Sequence, residues 1–421
     1  MLQTVQRGEK TLRDKLLVLG AGTFQMPLIA GARKMGIEVI TITPDGDYPG
    51  IAAADKVYYH DARDQEFALE VGRKEKINGI ISDQAEIFVR PSAYVAENLG
   101  LPGNTYETAC IYTDKALMRK RGRELGLATI ESFEVRDLEE ALKDLDYFGG
   151  SAIIKPVDNC SSRGISRING RDDLIRAWDE AVSYSGTGEV IIEKFIDGPQ
   201  FEVDSIALNG EVRPMMYADL KEFSIRDVFS SAARLYPSVA DEEVIHRLLD
   251  YSNRINEGFG MHMGVSHNEY IMDSKTGEIY LIEGALRGGG TYIGSHIAKL
   301  ETGLDTAEFL INAALGRIDR IPEFTMNRCH AGYAAFYLPE GEVISTDGTE
   351  EVAALSYVDK TKFNDLSVGQ HTRSIKDKDQ RCAVVLSAES REQLLQRIEE
   401  IKSMLQIKVK TEDGIRGPIW E

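Results

Sequence analysis

Charged residues and glycines end several apolar runs of this sequence, where their side chains and backbone groups could bind a ligand. Lys155 ends the apolar run 152–154, and Glu193-Lys194-Phe195-Ile196 ends the run 190–192. A lysine buried without an anion costs on the order of several kcal/mol, so Lys155 predicts either a phosphate contact or a surface position. Lys115, in a basic helix pattern, leaves the same two alternatives open.

The segment 158–164 combines two hydroxyls, a basic residue and a glycine, namely Ser161, Ser162, Arg163 and Gly164. Backbone N–H groups of such a loop can approach phosphate oxygens. The sequence contains no Walker-type phosphate loop, and an ordinary hairpin turn would explain this segment equally well.

The end of the strand pattern 190–195 suits an adenine ring. Exposed backbone groups at a strand end can pair with the edge of the base, while Phe195 and Ile196 supply an apolar wall. Glu202 follows the Gly198-Pro199 turn, where its carboxylate could accept hydrogen bonds from ribose hydroxyls. For Glu193 and Glu202 a solvated surface position is the alternative.

Glu269 and Glu283 lie within the apolar strand patterns 264–272 and 279–283. Two carboxylates brought together across a hairpin repel each other unless a cation lies between them. Oxygen ligands of this kind suit Mg²⁺, with Mn²⁺ as an alternative ion. A buried salt-bridge network with Arg287 is the other interpretation.

Arg287 precedes three glycines, Gly288, Gly289 and Gly290, which would let a substrate approach the guanidinium closely. Its planar fork can hold a carboxylate or an acyl phosphate through two parallel hydrogen bonds. The arginine therefore predicts the binding of an anionic intermediate.

Two further residues are candidates for substrate contact. His267 shares a strand face with Glu269, which predicts either a substrate contact or a packed histidine. Arg234 lies in a polar stretch, which predicts either a contact to a second carboxylate or a solvated loop.

The elements that must position these residues begin with alternating strand and helix patterns over 15–82, which predict a parallel sheet with helices on its faces. Gly20-Ala21-Gly22 follows the first strand, but Gln25 stands where the dinucleotide pattern needs its third glycine. This turn predicts a tight connection or a pocket for a second substrate rather than nicotinamide binding. Hairpin patterns over 151–168, 201–217 and 264–283 predict antiparallel sheets.

Composition limits the classes of partner. The 421 residues include 49 Lys and Arg against 68 Asp and Glu, a net charge of 49 − 68 = −19. Such a charge repels nucleic acid and anionic membranes, so neither is predicted as a partner.

The four cysteines are dispersed without metal-ligand spacing, and the first apolar run is too short for a signal core or a membrane span. A cytoplasmic protein is expected.

Taken in order, these motifs resemble those of the ATP-grasp superfamily of carboxylate–amine ligases, from about Leu16 to Ile407. The resemblance implies an α/β and α+β fold with three domains. They are a preATP-grasp, Rossmann-like domain over 1–107, a two-lobed ATP-grasp domain over 108–316 with a mobile lobe at about 120–190, and a small C-terminal α+β domain over 317–421.

The resemblance also implies roles for single residues. Carried over by position, the residues that would contact the ATP phosphates are Lys115, Lys155, Ser161, Ser162 and Gly164. The adenine hinge would be Glu193, Lys194, Phe195 and Ile196, and the ribose contact would be Glu202. The magnesium ligands would be Glu269 and Glu283, and Arg287 would contact the acyl phosphate. The superfamily motif Glu-x-Asn-x-Arg here reads Glu283-Gly284-Ala285-Leu286-Arg287, so an asparagine ligand is missing. Some L-amino-acid ligases of the superfamily share this departure.

The implied reaction uses ATP to activate a small carboxylate, favoured as an amino acid, as an acyl phosphate that an amine then attacks, releasing ADP and phosphate. The alternatives are a ligase or carboxylase of the purine-biosynthesis type and a nucleotide-binding regulatory protein without catalysis. Dimers are common in the superfamily, so a homodimer is expected as well, although no apolar stripe in the sequence marks an interface.

Overall fold

The first part of the chain is a four-stranded parallel sheet in the order β3-β2-β1-β4, with helices on its faces. The computed structural model describes residues 13–158, 163–225, 228–363, 366–375 and 377–420. The elements of this part are β1 Lys15–Leu19, α1 Met26–Lys34, β2 Glu38–Thr43, α2 Pro49–Ala53, β3 Lys56–Tyr59, α3 Gln65–Glu75, β4 Gly79–Ile81, a short 3₁₀ turn Glu86–Phe88, α4 Val89–Leu99 and α5 Tyr106–Tyr112. The parallel sheet predicted from the alternating patterns is confirmed.

A second, antiparallel sheet has the order β5-β8-β6-β7 and follows helix α6, Lys115–Glu124. Asp114 begins α6 by accepting a hydrogen bond from the Leu117 N–H at 3.0 Å, as expected of an N-cap. The elements are β5 Ser132–Val135, α7 Leu138–Tyr147, β6 Ser151–Pro156, β7 Ser166–Asn169, α8 Arg171–Ser183 and β8 Val190–Lys194. The tip of the β6–β7 hairpin, with Ser161 and Ser162, lies outside the described residues.

The largest sheet has eight strands, all antiparallel to their neighbours, and three of them come from later in the chain: β14 (His330–Phe336), β16 (Val358–Lys362) and β18 (Cys382–Ala388). The strand order is β13-β12-β9-β10-β11-β14-β18-β16. Its first five strands and the helices around them are β9 Gln200–Leu208, β10 Glu211–Glu222, β11 Ser231–Tyr236, α9 Glu242–Gly258, β12 Gly264–Met272, β13 Ile279–Ala285, a π turn Ile293–Ile297, α10 Ala298–Thr302 and α11 Thr306–Ala314. Arg234 therefore lies on a strand rather than in a solvated loop, because β11 pairs with β10 and β14 on its two edges.

The last hundred residues complete this sheet and add a small one. The elements are β14 His330–Phe336, β15 Gly341–Asp347, α12 Thr349–Ala353, β16 Val358–Lys362, β17 His371–Thr372, a 3₁₀ turn Lys378–Gln380, β18 Cys382–Ala388, α13 Arg391–Met404, β19 Gln406–Thr411 and β20 Gly414–Arg416. The small sheet has the order β17-β15-β19-β20. The eight-stranded sheet thus runs across the boundary expected near residue 316, and the three-domain division stays a prediction.

Mixed α/β architecture with several sheets is confirmed, in agreement with the predicted fold class. Among the helices that the structure describes, none has the length and apolarity needed to cross a membrane.

Candidate active site

Three glutamates lie side by side on neighbouring strands of the eight-stranded sheet. Glu269 on β12 is directly opposite Glu283 on β13 and, on its other side, opposite Glu202 on β9. Directly opposed residues project from the same face of a sheet. The two carboxylates predicted as metal ligands are therefore brought together, as the hairpin pattern suggested.

Glu283 and Lys115 form the link between this sheet and helix α6. The Lys115 ammonium lies 2.7 Å from Glu283 Oε1, and the Lys115 N–H donates to the Val157 carbonyl at the end of β6. Burial alone would raise the pKa of Glu283, but the adjacent Lys115 lowers it to about 2. Glu283 is accordingly an ionised carboxylate at neutral pH.

A second buried cluster surrounds Glu193 on β8. Lys155 Nζ lies 2.6 Å from Glu193 Oε2, and Arg119 Nε donates to Glu193 Oε1 at 2.9 Å. All three side chains are buried. Glu193 was expected beside adenine, but its carboxylate is engaged by these two cations and so holds Lys155 in place at the edge of the cavity.

A cavity of about 140 Å³ lies between the second sheet and the eight-stranded sheet. It is bordered by the two lysines and two glutamates just described and by the apolar side chains that follow β8. Its lining includes Lys115, Lys155, Glu193, Lys194, Phe195, Ile196, Gln200, Glu222, Glu269 and Glu283, with isoleucines at 130, 153, 165, 271 and 282. Apolar walls with a few charged groups are typical of a nucleotide pocket.

Phe195 and Ile196 follow the last residue of β8 and lie on this cavity, as the sequence predicted. The Arg167 guanidinium stacks over the Phe195 ring at 3.8 Å from its centre. Gln200, which the sequence analysis did not single out, also reaches the cavity. Gly164, described at the end of the phosphate-loop segment, has φ +72°, a conformation that favours glycine.

Glu202 differs from its expected position. It is fully buried and is bound by Arg234 and by the Tyr236 hydroxyl, with His267 Nδ1 at 3.3 Å. It does not line the cavity beside Phe195 and Ile196. The ribose contact expected for Glu202 therefore has no geometric support, because its carboxylate, on the same sheet face as Glu269, is engaged by Arg234 and Tyr236 instead.

Arg234 is the centre of that ion cluster. Its guanidinium contacts Glu202 and Glu269 and donates to His267 Nε2 at 2.6 Å. His267 Nδ1 lies 2.9 Å from Asp204 Oδ1, so the ring is held from both sides. Burial lowers the pKa of His267, and Arg234 adds to that effect against the opposing Asp204. The imidazole is a neutral, fixed member of the cluster.

Arg287 is held by residues from the first sheet. Its Nη2 atom lies 3.6 Å from Glu86 Oε2, and Asp83 accepts a hydrogen bond from the Gly288 N–H at 2.6 Å. Burial and the nearby Glu283 raise the pKa of Glu86 to about 7. A Cβ atom at Gly289 would lie 2.7 Å from His267 Nδ1, so this glycine is required for close packing.

A second cavity, of about 270 Å³, continues from the first and shares Glu222, Phe229, Glu269 and Glu283 with it. Arg234, His267, Arg287 and Gly290 line it, whereas the other two candidate substrate residues, Gly288 and Gly289, do not. Its other lining residues were not found from the sequence, and they include Phe24, Gln84, Ser231, Thr291, Ile293, Tyr333, Lys362, Asp379 and Arg381.

Residues 149–295, which hold most of this site, match the family model of the ATP-grasp domain. This part of the chain is an ATP-grasp domain. The chain is 25% identical over 329 residues to the alanine–anticapsin ligase of Bacillus subtilis, covering 69% of this chain and 68% of the relative. It is 26% identical over 320 residues to the formate-dependent phosphoribosylglycinamide formyltransferase of Methanocella arvoryzae, covering 72% of each.

A likeness of fold to an L-amino acid ligase from Bacillus licheniformis extends over 95% of this chain and all of that one, with a TM-score of 0.79 and 21% identity. Together with the domain match and the relatives, it bears out the enzyme class predicted from the sequence, an ATP-grasp carboxylate–amine ligase. The match to the ATP-grasp domain likewise supports ATP as a ligand.

The donors of this ATP-grasp site fit a divalent cation. Glu269 and Glu283 face the same space, and both remain ionised, because burial raises the pKa of Glu269 but the Arg234 guanidinium lowers it overall. Hard carboxylate oxygens beside a phosphate pocket suit Mg²⁺ or Mn²⁺. Ala285 offers no ligand atom, so the departure from the superfamily motif stands.

Proposed function

We propose that the protein activates a small carboxylate, with an amino acid as the favoured class, and joins it to an amine at the expense of ATP. The observation that carries the proposal is the continuity of the two cavities. They meet at Glu269 and Glu283, so a nucleotide phosphate in the first and a carboxylate in the second would react at their junction.

The charged residues at the junction of the two cavities have separate roles in phosphoryl transfer. Lys155 and Lys115 neutralise the charge on the phosphate oxygens during transfer, since both ammonium groups border the first cavity. Mg²⁺ held by Glu269 and Glu283 would supply further charge neutralisation and orient the phosphates. The nucleophile is a carboxylate oxygen of the substrate, and the products are ADP and an acyl phosphate.

Arg287 binds the activated group in the second step. Its guanidinium lines the second cavity next to the glycines 288–290, where it can hold the anionic acyl phosphate and the oxyanion formed when the amine attacks. Glu86 and the Asp83–Gly288 hydrogen bond fix the arginine from the side of the first sheet. The amine displaces phosphate and forms an amide.

Two features support an amino acid or a related small acid as the carboxylate substrate. The second cavity has the size of a small molecule, and both charge signs are present on its wall, as zwitterionic substrates require. The likeness of fold to an L-amino acid ligase agrees with this choice. A cytoplasmic location, where ATP and such acids are available, and a homodimer remain part of the proposal.

The test incubates the protein with MgATP, hydroxylamine and pools of small carboxylates, and measures ADP together with hydroxamate. We expect hydroxamate in at least one pool. ATP binding without ADP or hydroxamate in any pool would contradict the proposal and favour a regulatory protein. In a parallel reaction with phosphoribosyl amines in place of hydroxylamine, activity confined to those amines would favour the purine-type ligase.

Two variants on one hairpin provide the control. Glu283→Gln should lower hydroxamate formation by about 100-fold or more, beyond the tenfold to hundredfold that changes around metal ligands typically cost. Glu278→Gln removes an exposed carboxylate near the hairpin turn and should keep the wild-type rate.

A further inference from the structure

Helix α6 covers the outer edge of the strand that carries Glu283. Strand β13 lies at the edge of the eight-stranded sheet, where β12 pairs with its inner side. On the outer side, the Ile282 carbonyl accepts a hydrogen bond from Arg119 Nη2 at 2.7 Å, and the Gly284 N–H donates to Met118 Sδ at 3.4 Å. Two side chains of α6 thus occupy backbone groups that a further strand would otherwise pair with.

These contacts lie at an irregularity of the β12–β13 hairpin. Successive residues of β12, beginning with Glu269, lie opposite Glu283 and Leu281. Ile282 is therefore an extra residue of β13, which makes a β-bulge. Ile282 and Glu283 both line the first cavity, although successive residues of a regular strand point to opposite faces. The direction of the Glu283 side chain thus depends on the bulge, and the bulge carbonyl is the one that Arg119 binds.

Arg119 connects this bulge with the second sheet. Its Nε atom donates to Glu193 Oε1 at 2.9 Å, and Glu193 in turn pairs with Lys155. The guanidinium is a planar fork with donors in fixed directions, so one buried side chain binds the carboxylate and the Ile282 carbonyl together. A lysine ammonium is a single point on a flexible stem and lacks this spacing. The same arginine therefore holds Lys155, through Glu193, and the backbone next to Glu283.

Three residues on one face of α6 surround Glu283. Lys115, Met118 and Arg119 have the i, i+3, i+4 spacing of a single helix face. The Lys115 ammonium lies 2.7 Å from the Glu283 carboxylate, whereas the other two side chains hold the backbone on its two sides. A metal ion would compete with Lys115 for the carboxylate but not with the backbone contacts. The backbone contacts are therefore the ones that can orient Glu283 towards an ion.

We propose that Arg119 is a positioning residue for the metal ligand Glu283, which it orients through the Ile282 carbonyl, with Met118 as a second contact. The inference rests on the metal-ligand role of Glu283 in the proposed function and adds the residues that hold this ligand in place. Changes to groups that orient a metal ligand from outside the coordination sphere typically cost about tenfold to hundredfold in metal affinity. The affinity for a divalent ion should therefore depend on Arg119.

Three variants on α6 test the proposal. Arg119→Lys keeps a positive charge in the buried cluster and loses the fork. Met118→Leu nearly keeps the side-chain volume and removes the sulfur that accepts from the Gly284 N–H. Arg121→Lys is the matched control, because Arg121 also donates through Nε to a backbone carbonyl, that of Gly258 on α9, at 2.9 Å. It repeats the arginine-to-lysine change and the loss of a backbone contact at a place away from β13.

Metal binding is measured separately from nucleotide binding. Electron paramagnetic resonance gives the Mn²⁺ dissociation constant with a saturating non-hydrolysable ATP analogue, and calorimetry gives the ADP dissociation constant without metal. We expect Arg119→Lys to raise the Mn²⁺ dissociation constant about tenfold to hundredfold, Met118→Leu to raise it by a smaller factor, and Arg121→Lys to leave it unchanged. Metal-free ADP should bind all three variants as it binds the wild type, because Lys155 and Glu193 are kept in each.

The possible results separate a positioning role from a merely structural one. A lower melting temperature of Arg119→Lys with a wild-type Mn²⁺ dissociation constant would overturn the inference. Parallel losses of Mn²⁺ and ADP binding would also overturn it, since Arg119 would then act through Glu193 and Lys155. If Arg119→Lys does not fold, Met118→Leu decides, and an unchanged Mn²⁺ dissociation constant in that variant counts against the inference. A wild type that binds Mn²⁺ with the ATP analogue but forms no hydroxamate would contradict the ligase proposal alone.

Discussion

The cluster of Lys155, Glu193 and Arg119 permits a prediction that separates stability from nucleotide binding. One buried carboxylate is shared by two buried cations, at 2.6 Å and 2.9 Å. Lys155→Met leaves Glu193 with Arg119 as its partner. Glu193→Gln instead leaves two buried cations without a carboxylate, so the two changes should have unequal costs.

The contacts give the size of each cost. Removing Lys155 takes away one hydrogen bond to a charged group, worth about 2 kcal/mol, while Arg119 still compensates the carboxylate. Glu193→Gln disrupts both ion pairs and leaves uncompensated buried charge, which typically costs about 3–5 kcal/mol. We therefore expect Glu193→Gln to lower the free energy of unfolding more than Lys155→Met does, by about 1–3 kcal/mol.

The rise in melting temperature that ATP produces should also differ between the two variants, and it should be larger for Glu193→Gln. The phosphates would give Lys155 a new anion in the Glu193→Gln protein, so saturating MgATP should raise its melting temperature more than it raises that of the wild type. Lys155→Met lacks the phosphate contact, and its melting temperature should respond least. Urea unfolding measures the stability of the two variants, and a thermal-shift titration with a non-hydrolysable ATP analogue measures the nucleotide effect.

Either of two results would refute this reasoning. A larger loss of stability in Lys155→Met than in Glu193→Gln would mean that Arg119 does not compensate the carboxylate. An undiminished response of Lys155→Met to the ATP analogue would mean that Lys155 does not contact the phosphates. Lys143→Met, at an exposed ion pair on α7, is the control and should leave both measurements unchanged.

Three further predictions concern the anion contact, the metal and the buried core. Arg287→Lys loses the bidentate fork, so hydroxamate formation should fall by about 100-fold while the ADP-induced rise in melting temperature stays as in the wild type. Mn²⁺ titrated in the presence of a non-hydrolysable ATP analogue, and followed by electron paramagnetic resonance, should saturate at one bound ion per chain; two would contradict the charge argument below. Burial raises the pKa of Glu301 from 4.5 to about 8, so the folded state keeps a proton that the unfolded state releases within this window. Stability should therefore fall by up to about 1.4 kcal/mol per unit as pH rises from 5 to 8, and urea unfolding should show a smaller fall in Glu301→Gln.

Local sequence patterns were sufficient to predict the order of the elements and the opposed pair of glutamates. The hairpin of β12 and β13 is formed by neighbouring segments with a short turn, so its pairing follows from the chain order. The same holds for the strand pattern 190–195, which forms β8 from Val190 to Lys194. The residues that form these patterns are close together in the sequence, so the patterns can be recognised without the structure.

The errors come from contacts between distant segments. Glu202 was predicted as a ribose contact or a solvated surface residue, and Arg234 as a substrate contact or part of a solvated loop. Strand pairing across β9, β10, β11 and β12 instead buries both in one ion cluster. A signal was present, because Glu202 and Asp204 alternate with apolar residues in a strand that is buried almost throughout. Lys362 and Arg381 reach the cavity only because β14, β18 and β16 extend the same sheet, and no local pattern indicates that pairing.

The ion cluster also bears on the missing asparagine ligand. Ala285, which replaces the asparagine, lies opposite His267 on the neighbouring strand. His267 accepts a hydrogen bond from Arg234, and Arg234 also contacts Glu269. A fixed guanidinium therefore lies beside Glu269, where a second ion would need a further ligand. A second divalent ion next to Glu269 would meet this positive charge at short range and find no neutral oxygen at position 285 to complete its coordination. The space near Glu283 is more favourable for a metal ion. If Lys115 pairs with a nucleotide phosphate, the Glu283 carboxylate is released to bind the ion. The charge arrangement therefore favours a single divalent ion, which Glu283 and Glu269 would hold, with Arg234 supplying part of the positive charge that a second ion would otherwise bring.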